Sequence, residues 1–422
     1  MLPVRIVLDF SLVRSMSVQS TVLLLACLIS LTAVCGCQQT TAQPSEQSEL
    51  KDRIVAATGP IESADVDLSS GVGWHTSRGD KNSTGVSTGV LPDQLNEHWQ
   101  LKIKNSAFES TPIIVAGKTA DGPDRVYIGD ADKFFYAINL ETGAVDWQFE
   151  TEFGFVASAA YSDGKLFVGD VDGKFYCLSE EGEKLWEFNA TGQIDSSANF
   201  HGDLVLFGSR DAKLYALNRN TGEKAWELET ADEVRCGITV VDGRAFVAGC
   251  DASVHIIDLD TGKEESAVEI DSQSGTTPSA VGNLVFTGSE QAGIFGIDFK
   301  QAKIAWNFND DEGAISTRSS TAVSGDHVVF GTSHRVVYSV NPKTGKKNWA
   351  TELKSAIETS PIIVGQHVYV GSNDGRLYRL NLSDGKILWK KQLNGGLTGS
   401  PAVAFGKLVI ATDRGVVYCL GK

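Results

Sequence analysis

Ser360-Pro361-Ile362-Ile363-Val364, His367-Val368-Tyr369-Val370-Gly371, Arg376-Leu377-Tyr378-Arg379-Leu380 and Lys386-Ile387-Leu388-Trp389 follow one another closely in the chain. Each run is rich in β-branched and aromatic residues and is bounded by Gly, Asp or Asn, so the four read as short strands A to D of one antiparallel unit. Between the third and fourth runs lies Asn381-Leu382-Ser383-Asp384-Gly385. Its Gly stands four residues ahead of Trp389, where a tight turn demands a positive φ.

The same turn recurs as Asn139-Leu140-Glu141-Thr142-Gly143, Asn218-Arg219-Asn220-Thr221-Gly222, Asp258-Leu259-Asp260-Thr261-Gly262 and Asn341-Pro342-Lys343-Thr344-Gly345. Trp occurs at 99, 147, 186, 226, 306, 349 and 389, with Ser266 in the gap, and a turn of this kind precedes most of them. A four-stranded unit repeating about every forty residues is a propeller blade. Full units begin near 111, 158, 197, 237, 277, 320 and 360, and a last unit from Ser400 to Leu420 lacks its fourth strand. Trp99-Gln100-Leu101-Lys102-Ile103 is a D strand with no A, B or C before it. Pairing it with Val416–Leu420 predicts an all-β fold, a closed eight-bladed β-propeller without the two open edges of an unclosed array. The large rings of Trp99, Trp147, Trp186, Trp226, Trp306, Trp349 and Trp389 are expected to dock between blades rather than to serve as ligand platforms. Ser266 predicts one less filled junction.

The rest of the chain supplies an address. It has 422 residues, 43 Gly and a net charge of −16, which excludes collagen, coiled coil and wholesale disorder. The acidic balance and the lack of a basic stripe argue against nucleic acid as a partner. Residues 1–36 carry Arg5 and Arg14 ahead of an apolar run, Thr21–Val34, too short to span a bilayer, and read as a signal peptide. Cys37, preceded by Gly36 and with Val34 three positions back, resembles the lipobox cysteine of bacterial lipoproteins; Cys35, directly after Val34, is the poorer choice. The expected organisation is a lipidated cysteine and polar tether over 37–53, a lead-in segment over 54–92 packed on the propeller, and the propeller over 93–422. The expected location is the cell envelope, lipid-anchored at the outer membrane and facing the periplasm, or secreted if unlipidated. The ring itself is expected to be monomeric.

Repeats of the form T-G-x-x-x-W, followed by S-P, V-Y-V-G-S, D-G and L-Y-x-L-N, resemble the pyrroloquinoline quinone (PQQ) type propeller repeat from about Trp74 to the C-terminus. Gly73-Trp74-His75-Thr76-Ser77-Arg78-Gly79-Asp80 and the polar stretch to Gly85 are similar to the aromatic, Arg-Gly lead-in of many such propellers. Within this class, a lipoprotein-sized chain of eight bare blades resembles the BamB family of the outer-membrane barrel assembly machinery. That resemblance implies a non-catalytic scaffold that binds protein, with no cofactor.

Other members of the repeat class bind PQQ and calcium and oxidise alcohols or sugars, which gives the competing expectation. Aligning the units places Glu109, Val156, Asp195, Arg235, Gly275, Arg318, Glu358 and Thr398 at one equivalent position, where strand A begins. If a quinone site exists, Glu109, Asp195, Arg235, Arg318 and Glu358 are its candidates, acids for a metal and arginines for a carboxylate. A polar channel mouth with offsetting charges is the plainer reading, favoured by the lack of an adjacent Cys-Cys pair and of long insertions. A third class, a polymer-binding or sensor propeller, needs an exposed aromatic stripe. Acidic turns such as Asp130-Ala131-Asp132 and Asp170-Val171-Asp172 are expected to bond their own backbones rather than calcium, while giving a negative face suited to a basic partner. The His residues never sit at zinc spacing. Cys236 and Cys250 flank one hairpin, and a disulfide between them is left open.

Overall fold

The computed structural model describes residues 73–422 apart from 120–121 and 311–314. The expected signal peptide, Cys37, the tether and the first part of the lead-in segment lie outside the described residues. Within them the chain forms eight sheets of four blade strands each, with no α-helix. The most regular blade, the seventh, consists of Ile362–Val364, His367–Gly371, Arg376–Asn381 and Ile387–Gln392. Strand A is shorter than its sequence signal. Ser360 gives its backbone N–H to Ser400 Oγ of the next blade at 2.8 Å, and Pro361 has none to give.

The ring closes as the pattern predicts. Asn96–Lys102 is antiparallel to Val416–Gly421, with Trp99 opposite Cys419 and Lys102 opposite Val416. The eighth blade is therefore shared between the two ends of the chain.

Strands A to C are buried on both faces because blades stack face to face, whereas strand D on the outer rim alternates, as in Val145–Glu150. The core is accordingly spread between sheets; one apolar cluster joins Val126 and Ile128 of the first blade to Val409 and Val417 of the eighth. Most of the tryptophan D strands reach into the following blade. Nε1 of Trp99 donates to Leu140 O at 2.8 Å, Trp147 to Glu180 O at 2.7 Å, Trp306 to Pro342 O at 2.7 Å and Trp349 to Leu382 O at 2.8 Å. The indole also lies flat on the glycine of that turn. Gly345 combines a φ of +65° with a site where a Cβ would come within 2.8 Å of Trp306, so it is required twice over. Trp389 faces a blade with no C–D turn, since that blade's D strand comes from the N-terminus, and packs instead with the cluster holding Leu91 and Leu95.

The junction at Ser266 corrects the expectation of looser filling. The next blade's turn has Ala302 (φ +49°) in place of glycine, and Phe299 from the same turn fills the interface, 4% exposed, its ring 5.0 Å from that of Phe246.

Candidate functional site: the axial mouth and its plug

Strand A of each blade leaves one edge unpaired toward the propeller axis, a row of N–H and C=O groups that need partners. Residues 74–87 supply them. Trp74 exchanges two backbone hydrogen bonds with Ile114 of the first blade, at 2.7 and 2.8 Å. The central A-strand residues Tyr161, Val240, Ala280, Val323 and Ile363 then donate to the carbonyls of His75, Lys81, Asn82, Thr84 and Gly85, all at 2.8 or 2.9 Å. In the third blade the Asn199 side chain takes this part, donating to Lys81 O at 2.8 Å. Val86–Ser87 pairs parallel to Ile362–Val364 of the seventh blade, and Ser87 Oγ approaches Val403 O of the eighth at 3.5 Å. The segment thus threads the channel and touches every blade.

Its centre is Arg78, 3% exposed. Nη2 donates to Thr321 O at 3.0 Å and to Pro361 O at 2.8 Å, pinning the sixth and seventh blades. Burial pulls this guanidinium down to about 10, with nearby Asp80 opposing. Burial pushes Asp80 up, against hydrogen bonds from the Thr84 backbone and hydroxyl.

Two residues beyond each mouth position stands a hydroxyl, except at Gly237. Thr111 N donates to Ser158 Oγ at 2.8 Å and Ser158 N to Ser197 Oγ at 3.2 Å. After the gap the pattern resumes through Thr277, Ser320, Ser360 and Ser400, and Ser400 N returns to Thr111 Oγ1 at 3.2 Å. These hydroxyls, with Ser77 and Arg78, line an axial cavity of about 200 Å³.

Of the candidates for a quinone site, Glu109, Arg318 and Glu358 share this cavity, as do Gly275 and Thr398. Asp195 and Arg235 are not among its walls. Asp195 Oδ2 accepts from Arg210 Nη2 at 2.6 Å and Nε at 2.8 Å, and Arg235 Nε donates to Glu233 at 2.5 Å. Arg318 is largely exposed and lies 3.4 Å from Glu290. Among the described residues no three His, Cys, Asp or Glu converge on a point that could hold a metal.

The acidic turns bond their own backbones. Fully buried Asp130 accepts at Oδ1 from the N–H groups of Asp132, Lys133 and Phe134, and at Oδ2 from Ser106 and Tyr136. Asp170 repeats this with Asp172, Lys174 and Tyr176. The negative face is weaker than the sequence suggests, because such acids are buried and Lys133 and Lys174 pair with Glu150 and Asp172. Phe153, 42% exposed, is the one exposed aromatic among the described residues and sits on the loop leading into the second blade. Cys236 donates its thiol to Ala248 O at 3.0 Å and is not bridged to Cys250; burial pushes it up to about 12.

The hydroxyl ring and the threaded segment are features that sequence reasoning missed. The signal for the first was present, as Ser or Thr two positions after each mouth residue.

The sequence profile of the family described as outer membrane protein assembly factor BamB matches residues 88–235 and 210–422. The chain belongs to this family. The outer membrane protein assembly factor BamB of Burkholderia pseudomallei is 27% identical over 284 residues, 62% of this chain and 70% of the relative. Among solved structures, BamB from Moraxella catarrhalis superposes with a TM-score of 0.62 at 20% identity, covering 78% of this chain and 98% of that one. The quinohemoprotein alcohol dehydrogenase of Comamonas testosteroni gives a TM-score of 0.70 at 13% identity, covering 89% and 84%. At such identities both likenesses show the fold alone.

Proposed function

We propose that the chain is a non-catalytic lipoprotein of the cell envelope, anchored through Cys37 and facing the periplasm, whose loops bind a protein partner in outer-membrane protein assembly. The family match across 88–422 carries this reading. The threaded channel supports it, because it leaves the loops as the main recognition surface, with Phe153 as an apolar anchor on them. Affinity capture from solubilised envelope tests it. The full chain is expected to recover an outer-membrane barrel assembly protein, and Phe153→Asp to recover less. Recovery of no such protein by either overturns the reading. Cys37→Ala is expected to move the folded protein to the soluble fraction, and Cys35→Ala to leave it on the membrane.

The competing quinone-dependent oxidoreductase draws on Glu109, Arg318 and Glu358 lining one cavity. The fit is poor. The cavity of about 200 Å³ is smaller than ordinary small-molecule pockets of roughly 300–1,000 Å³, and Asp195 and Arg235 are engaged sideways. We therefore assign no cofactor. Saturable binding of PQQ in the presence of Ca²⁺ would reverse that assignment.

A further inference from the structure

We propose that the axial cavity binds a small monovalent anion, a halide or a short carboxylate, between the hydroxyl ring and the buried guanidinium of Arg78. The site goes beyond the scaffold reading and does not depend on it.

Two independent observations point to it. Each ring hydroxyl accepts the N–H of the preceding blade, so its own proton turns away from that N–H, and among the described residues no protein acceptor takes it. Ser158, Ser320, Ser360 and Ser400 are 6 to 8% exposed, open only to the cavity they line. The result is a crown of O–H donors with nothing among the described residues to receive them. The second observation lies beneath it. Arg78 is buried, and among the described residues its Nε and Nη1 have no partner and no carboxylate is within ion-pair distance. Asp80, the acid it feels, is engaged with Thr84. A buried cation with unspent donors beside a ring of unspent donors is an arrangement that a negative charge stabilises.

Charge and size set the class of anion. Glu109 and Glu358 also line the cavity, and Arg318, which lies 3.4 Å from Glu290, stands among them. A doubly charged oxyanion meets about twice the repulsion of a singly charged one at that rim. Space for a few waters of roughly 30 Å³ each admits a halide or acetate and excludes a large cofactor.

The test uses the intact protein at constant ionic strength, with sulfate replaced stepwise by bromide or by acetate. The melting temperature is expected to rise and saturate, and Arg78→Gln, which keeps donors but removes the charge, to weaken half-saturation by about tenfold. Crystals of the unaltered chain grown in bromide are expected to show an anomalous peak on the propeller axis beside Arg78, which keeps the question decidable if the variant fails to fold. Either arm alone shows whether halides or carboxylates are accepted. Absence of an axial peak, or a bromide response equal in the Arg78→Gln protein, overturns the proposal.

Discussion

Ser400 donates its backbone N–H to Oγ1 of Thr111, 289 residues earlier in the chain, at 3.2 Å. The bond joins the last blade to the first on the inside of the ring, as the pairing of Asn96–Lys102 with Val416–Gly421 does on the outside. A repeat array is otherwise held by its neighbours alone, so these contacts make the ring one cooperative unit. Deleting residues 93–104 uncovers Val416–Gly421, a strand buried along its whole length. Calorimetry and light scattering are expected to show a broadened melt and aggregation, whereas Thr111→Val keeps a sharp melt and loses only about 1 kcal/mol.

The tryptophans are not equivalent. Trp306 and Trp349 are buried and donate into the next turn, so replacement by Ala is expected to destabilise by about 3–5 kcal/mol in chemical denaturation. Trp389, half-buried and without a turn to enter, is expected to cost clearly less. Equal losses at the three positions would contradict the docking geometry.

The junction between the fourth and fifth blades makes the opposite prediction. Restoring the repeat with Ser266→Trp is expected to destabilise by about 1–3 kcal/mol, because Ala302 carries a Cβ where the other turns have glycine and Phe299 holds the space. Adding Ala302→Gly is expected to recover part of the loss, with a coupling above about 0.5 kcal/mol in a double-mutant cycle.

His255 is set between two carboxylates, with Nε2 2.9 Å from Asp251 and Nδ1 2.6 Å from Glu264. Both contacts are satisfied together when the ring is protonated and donates at each nitrogen. Burial lowers its proton affinity, but the hydrogen bonds and charges of Asp251 and Glu264 outweigh it, so the net shift is upward from 6.5. Stability from this group is therefore fully present below about pH 6.5 and lost as pH rises through the raised value. Melts of the native chain and of His255→Gln are expected to differ most near pH 6, and the difference to shrink as pH rises above about 6.5. A gap that widens with pH would refute the bridge.

Blade count and closure were legible because they rest on local signals, the Gly-to-Trp spacing and the orphan strand at Trp99, that survive any detail of packing. The mouth was legible in part. Alignment put Glu109, Arg318 and Glu358 at one level of the axis, where they do line one cavity, but it could not foresee that Asp195 would turn sideways to Arg210 and Arg235 to Glu233. Those pairings depend on loop side chains that no period governs. The path of 74–87 was hidden for a different reason. Its contacts are mostly backbone carbonyls, and a polar stretch such as Ser77-Arg78-Gly79-Asp80 carries no hydrophobic pattern to show that it is interior. Phe299 escaped notice because the repeat draws the eye to the missing Trp and not to its substitute one blade on.

The thread also acts as a gauge. Fourteen residues, 74 to 87, meet the innermost strand of each blade once around the axis, and consecutive blades are served by carbonyls one or two residues apart from Lys81 to Gly85. An extra blade gained by duplication would widen the circle and present an inner edge that no carbonyl reaches; a blade lost would leave carbonyls with no donor and too little room. Repeat proteins of open form lengthen and shorten freely in evolution. In this chain, gain or loss of a unit requires a matching change in a short segment far from the unit itself, so the number eight is held in place by the thread as much as by the blades.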